Sequence, residues 1–136
     1  MEYIFLLNIM ERTWFDFQGL EIYKKSQEYY MNNKSIVSHG KPMLFAIDQL
    51  LRSAHSVVLN IAEGLGRITP SDRRHFFIIA RGSLFESVAC IDLFKKEKHV
   101  SEQIYIEMMD LAAEISRMLY TLIKNLTPSK PTKNVW

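Results

Sequence analysis

The sequence predicts an all-α protein, an up-down antiparallel four-helix bundle, and three observations carry that prediction. All four prolines, Pro42, Pro70, Pro128 and Pro131, stand where periodic segments begin or have ended. The first two suit the first helical position, where the missing amide hydrogen costs nothing. Within the segments apolar residues recur at steps of three and four, and little alternates with period two as a bounded strand does. Connections of a few residues between the later segments favour antiparallel neighbours.

Helix α1 is expected over residues 17–32, with Leu20, Tyr23, Tyr30 and Met31 on its inner side and Gln27 interrupting them. Helix α2, over residues 42–65, carries Ile47, Leu50, Leu51, Ala54, Val57, Val58, Ile61 and Leu65 in the amphipathic rhythm. Gly64-Leu-Gly66 reads as its C-terminal stop. Helix α3 opens with Thr69 as N-cap, Pro70 at N1 and Asp72 at N3, and runs to about residue 98. Helix α4 opens at Ser101 and keeps Ile104, Met108, Leu111, Ile115, Met118, Leu122 and Leu126 in register until Pro128, a rhythm suited to a narrow bundle seam. These elements make one domain over residues 17–126, with an N-terminal extension at 1–16 and a flexible tail at 127–136. Met10 could itself be a natural start.

Composition bounds the function. The 136 residues are 48% apolar and 24% charged, with 17 basic against 15 acidic side chains and a net charge of +2, an ordinary globular balance. The longest apolar run, residues 53–62, is about half of the ~20 residues a bilayer span needs. Glu2 stands where a signal peptide wants a cation. Cys90 is the one cysteine and builds neither a disulfide framework nor a zinc knuckle. A cytoplasmic protein with no membrane association is expected.

Two helices carry a second face. On α3, Phe76, Ala80, Leu84, Val88, Ile91 and Phe94 project to the core, while Ile78, Gly82, Phe85, Ala89 and Leu93 line up on the other side. A bundle helix needs one buried stripe, so the second predicts a subunit interface; the alternative is an α3 more wrapped by its own chain. Gly82 fits the interface, because a glycine in a helix interior costs ~1 kcal/mol against alanine and close backbone approach explains that cost. On α2, Gln49, Arg52, Ser56, Asn60 and Glu63 form a polar stripe bordered by Phe45 and Leu59. Such a stripe is either a solvated face or a hydrogen-bonded contact. Asp48 can support Arg52 at i, i+4.

The runs Gln49-Leu-Leu-Arg52-Ser-Ala-His-Ser56-Val-Val-Leu-Asn60-Ile-Ala-Glu-Gly64 and Ile79-Ala-Arg-Gly82-Ser-Leu-Phe-Glu86, with Phe17, Leu20 and Tyr23 ahead of them, resemble the bacterial four-helix-bundle family of 23S ribosomal RNA intervening-sequence proteins. The resemblance covers about residues 17–126. Ser26 and Ser53 stand where the family usually has alanine, Val57 replaces isoleucine, and Gly40-Lys-Pro42 replaces an acidic lead-in. The resemblance implies a ring-shaped homo-oligomer, a homopentamer in relatives, and a function linked to ribosomal RNA genes. It also implies kinship with accessory proteins of retroelements, which bind a reverse transcriptase and RNA. Its motif positions coincide with the α2 stripe and the Gly82 face, so Gln49, Arg52, Ser56, Asn60, Glu63, Ile78, Gly82, Phe85, Glu86 and Ala89 are the oligomer-interface candidates.

Chemistry is hard to find. No glutamate has a histidine three residues later, as a di-iron bundle requires. Gly64-Leu-Gly66 lacks the third glycine of a dinucleotide fingerprint and the Gly-Lys-Ser/Thr of a P-loop. Cys90, His55 and His99 offer no triad. No catalytic residue, cofactor or metal is expected, and the protein is read as no enzyme. Charge is more informative by segment: residues 67–81 hold Arg67, Arg73, Arg74 and Arg81 against Asp72 alone, a local +3. The helix dipole disfavours Arg73 and Arg74 near the start of α3 by ~0.3–1 kcal/mol, and contact with RNA or DNA phosphates would justify them. Lys130 and Lys133 are possible additions, and His75 and Phe77 the nearest stacking aromatics. Two readings follow: an oligomeric, RNA-associated protein, or a protein-interaction scaffold such as an accessory subunit of a reverse transcriptase.

Overall fold

The computed structural model describes residues 13–39 and 42–129, and over these the chain forms four helices and no strand. They are α1 (Glu21–His39), α2 (Leu44–Gly66), α3 (Pro70–Lys96) and α4 (Glu102–Asn125), led in by a 3-10 turn at Asp16–Gly19. The expected roles of residues 1–12 and of the tail from residue 130 on, with Lys130 and Lys133, lie outside the described residues. Backbones approach between successive helices and between α1 and α4, closing the bundle. Partner numbers run in opposite senses along each contact. Gln49 meets Glu86 and Ser56 meets Ser83 between α2 and α3, and Lys95 meets Glu102 while Arg74 meets Thr127 between α3 and α4. Neighbours are therefore antiparallel, and the topology is up-and-down.

Helix α1 departs most from expectation. The chain enters through the 3-10 turn, where Gln18 Oε1 accepts hydrogen bonds from the backbone N–H groups of Trp14 and Phe15 at 2.9 and 3.0 Å. The helix then begins at Glu21 and runs seven residues past its expected end at residue 32. Its buried residues are Ile22, Ser26, Tyr29, Asn33 and Ile36, at steps of four and three. Leu20 and Met31, expected inside, are exposed. The inner face was masked by polarity. Ser26 Oγ donates to Tyr23 O at 2.7 Å and Asn33 Nδ2 to Tyr29 O at 2.8 Å, so both polar residues enter the core by bonding to their own helix.

Helix α2 buries Leu50, Ala54, Val57, Val58 and Ile61, as its periodicity predicts. Its first turn is different: Met43 is the N-cap, so Pro42 precedes the helix instead of occupying N1. Its end is different too. The helix continues to Gly66, and no described glycine has a positive φ, so Gly64 is not a left-handed stop. A Cβ on Gly64 would lie 2.7 Å from Cε1 of Phe77 and 3.3 Å from the carbonyl oxygen of Arg73. That glycine exists to let α3 come close.

Helix α3 starts as predicted, with Thr69 Oγ1 accepting from the Asp72 N–H at 3.2 Å and Pro70 in the first turn. It stops in a left-handed cap at Lys98, φ 62°. There His99 N–H bonds to Phe94 O and Lys98 N–H to Lys95 O, and the His99 ring meets Phe94 edge-on, the paired bonds and apolar contact of a Schellman motif. Ser101 Oγ then accepts from Ile104 N–H to open α4. Met108 and Ile115 are buried as expected, joined by Ala112 and Leu119, whereas Ile104 is exposed. At the centre, the Tyr29 and Ser87 hydroxyls bond at 2.8 Å across the bundle, and Ser87 also bonds to Leu84 O.

Candidate nucleic-acid interface

The polar stripe of α2 divides. Gln49 Nε2 donates to Glu86, Ser56 Oγ bonds to Ser83 Oγ at 2.8 Å, and Asn60 Nδ2 donates to Ser56 O. Gln49 and Ser56, with Glu86, thus fasten α2 to α3 within one chain, while Asn60 bonds back to its own helix. Arg52 and Glu63 lie at the surface, where Arg52 Nε pairs with Asp48 at 2.8 Å and Glu63 with Arg67. The second stripe of α3 is on the outside: Ile78, Gly82, Phe85, Ala89 and Leu93 are all exposed. An added Cβ on Gly82 would meet nothing within 4 Å. Among the described residues, none of the chain wraps this face.

The four arginines also divide. Arg67 pairs with Glu63 while its guanidinium lies over the Phe76 ring, 4.6 Å from the centroid, and Arg73 Nε donates to Arg67 O at 2.5 Å. These two gather at the α2–α3 turn, beside a depression of about 680 Å³ that Gly66, Ile68, Thr69 and Asp72 help to line. Arg74 and Arg81 turn instead toward α4. Arg74 Nε donates to Thr127 Oγ1 at 2.8 Å, and the Arg81 guanidinium lies 4.5 Å from the Phe85 ring centroid and 5.9 Å from that of Tyr120. Arg73, Arg74 and Arg81 have no carboxylate within 4 Å among the described residues. Ion pairing with Asp72 therefore does not account for them. Phe77, the expected stacking aromatic, is 1% exposed and unavailable, whereas Phe76 is half-buried and stacked edge-on with exposed His75.

Elsewhere chemistry is quiet. Burial, reinforced by the nearby Glu86 charge, pushes the Cys90 thiol above its ordinary pKa, the opposite of thiolate activation. Burial also raises Tyr29, against the opposing hydrogen bonds of Ser87 and Asn33. Among the described residues no group of three His, Cys, Asp or Glu side chains could hold a metal ion, and no helix is long and apolar enough to cross a membrane.

Residues 18–121 match the family model described as 23S rRNA-intervening sequence protein. The chain belongs to this family. Its fold is similar to the crystal structure of a protein of unknown function from the S23 ribosomal protein family of Bacteroides thetaiotaomicron, with a TM-score of 0.70 and 23% identity over 76% of this chain and 98% of that one. A search of curated proteins returns no match. The family match takes in every arginine of the cluster, both motif runs and most of α4.

Sequence reading missed Arg117 and Tyr120 of α4. With Arg81, Ser116 and Thr121 they line a groove of about 350 Å³ beside α3. Their spacing of three along a helix was the only signal available, and their relation to Arg81 exists only once α3 and α4 pack.

Proposed function

We propose that the protein is a non-enzymatic, cytoplasmic, RNA-associated member of its family that works as an assembly of several copies. Arg67, Arg73, Arg74 and Arg81 contact phosphates. The observation that carries this reading is the absence, among the described residues, of carboxylate partners for Arg73, Arg74 and Arg81. Arg73 and Arg74 stand near the positive end of α3, where cations without anions beside them are disfavoured, and Arg81 two turns further on adds a third charge with no carboxylate to meet. The family's name, which ties it to sequences inserted in 23S ribosomal RNA, makes RNA the favoured source of those anions. The exposed apolar stripe of α3 supports self-association, and a ring of five copies is what the resemblance implies. Repeated around such a ring, the cluster becomes a basic girdle.

Gel shift with RNA over a salt series tests the reading. Binding should be tight at low salt and lost as salt rises, with log K falling by about 0.7 per phosphate contact on a single strand. Replacing the four arginines by glutamine should remove roughly two to three units of that slope. Absence of binding by the unsubstituted protein at low salt would end the proposal. The same α3 stripe favours a second reading, a scaffold that docks another protein such as a reverse transcriptase. In that case the arginine variant would keep its partner.

A further inference from the structure

The α3–α4 edge holds more than the arginines already named. Along α4, Arg117, Tyr120 and Lys124 follow at steps of three and four, so they share one face, and Thr127 lies just past the helix end. Arg74 and Arg81 run antiparallel beside them, tied at Thr127 and Tyr120. Arg74, Arg81, Arg117 and Lys124 have no carboxylate within 4 Å among the described residues. Tyr120 is 57% exposed and Phe85 53%, each within cation–π range of the Arg81 guanidinium. Arg81 Nε is buried with no hydrogen-bond partner, an unmet donor on a cation that faces a groove. At the far end, Asp92, bonded to the Tyr105 hydroxyl, closes the basic stretch with negative charge.

Cations interleaved with open aromatic rings are what a single strand needs. Phosphates take the arginines, and an unpaired base takes the ring. A duplex hides its base faces and can use only the charges. We propose that the α3–α4 edge binds a single RNA strand, with phosphates on Arg74, Arg81 and Arg117 and a base stacked on Tyr120. This rests on the RNA reading above and goes further, to the strandedness of the ligand and a second set of residues. Arg74 and Arg81 are seven residues apart, about 10 Å along the axis, so the edge spans only a few nucleotides. When Arg81 swings off Phe85 onto a phosphate, its Nε gains the acceptor it lacks.

Fluorescence anisotropy with a labelled uridine dodecamer, a blunt RNA duplex and a poly-glutamate peptide tests the proposal. Tyr120→Ala should weaken the dodecamer by about five- to 100-fold, the worth of one stacked base, and leave the duplex unchanged. Tyr120→Phe should restore binding to within about twofold. Arg117→Gln should lower the salt slope by about 0.7. Thermal melts accompany each variant, and unaltered melting places the loss at the surface. If Tyr120→Ala and Arg117→Gln bind the dodecamer like the parent while an Arg67→Gln, Arg73→Gln double variant does not, the strand site is overturned and the RNA reading stands. If the parent binds no RNA at low salt, both fall. Binding of poly-glutamate in preference to RNA, with the same dependence on Tyr120, would assign the edge to acidic protein and overturn the proposal.

Discussion

The seam between α2 and α3 and the outer face of α3 are built from similar residues, yet one is filled and the other is open. Each has a glycine within a helix, small side chains and aromatic rings. At the seam, Gly64 lies under the buried Phe77 ring, Ser56 meets Ser83, and Gln49 meets Glu86. On the outer face a Cβ added to Gly82 would meet nothing within 4 Å among the described residues, and Ile78, Phe85 and Leu93 are exposed. Residue type alone does not separate a packing glycine from an exposed one. What separates them is whether another helix of the same chain arrives.

The same substitution at the two glycines should have opposite signs. Gly64→Ala places a methyl 2.7 Å from a ring that is 1% exposed and 3.3 Å from a backbone carbonyl, and neither neighbour is a flexible side-chain end. Overpacking of this kind costs about 1–3 kcal/mol, of which helix propensity returns up to ~1 kcal/mol. Chemical denaturation should report a net loss, and an unchanged midpoint would show that α2 and α3 can separate freely at this point.

The two glycines also mark what the sequence could reveal. Gly82 reads as the packing glycine because it interrupts a long periodic segment, and Gly64 as part of a stop because Gly64-Leu-Gly66 falls between two periodic segments. The helix runs on to Gly66, so the position of the close contact depended on where α3 docks. Helix α2 was legible because, Ser53 and Gly64 apart, its buried residues are apolar. Helix α1 was not, because Ser26 and Asn33 hold two of its five core positions and donate their side-chain hydrogen bonds to the preceding turn. The basic cluster was visible as a local charge excess. Its division into a turn pair and an edge pair was not, since Thr127 and Tyr120 lie some 40 to 50 residues from their arginine partners.

Tyr29 sharpens the comparison from the core side of α3, where its hydroxyl meets Ser87. Tyr29→Phe removes that bond but leaves Ser87 bonded to Leu84 O, so the expected loss is about 0.5–1.5 kcal/mol. The alkaline limb of stability carries a clearer signature. Burial raises the Tyr29 pKa in the folded state above the ordinary tyrosine value of 10.0, so the folded chain holds its proton after the unfolded chain has released it. This contribution is complete below about pH 10 and declines as pH rises through the folded value. Denaturant midpoints measured from pH 8 to 11 should fall less steeply for Tyr29→Phe than for the parent. Parallel curves would mean that Tyr29 ionises as freely folded as unfolded, and that the centre of the bundle admits water.

The smallest expected change in subunit stability lies on the open face, and there assembly is the more telling measurement. Gly82→Ala meets nothing, so it should stabilise the subunit by up to ~1 kcal/mol through helix propensity, about 3–5 °C in melting temperature for a chain of this size. Gly82→Leu should gain nearly as much in an isolated subunit. If copies of the chain meet across Ile78, Gly82, Ala89 and Leu93, however, the leucine side chain occupies the space that a glycine leaves for a neighbouring backbone, and close approach is lost. Light scattering behind a sizing column should then show Gly82→Leu at the mass of one chain and the parent at a multiple of it, with both fully folded by circular dichroism. An assembly that survives Gly82→Leu at unchanged mass would remove this stripe as the self-association surface, because a contact that tolerates a leucine there never used the close approach that makes a glycine worth its cost.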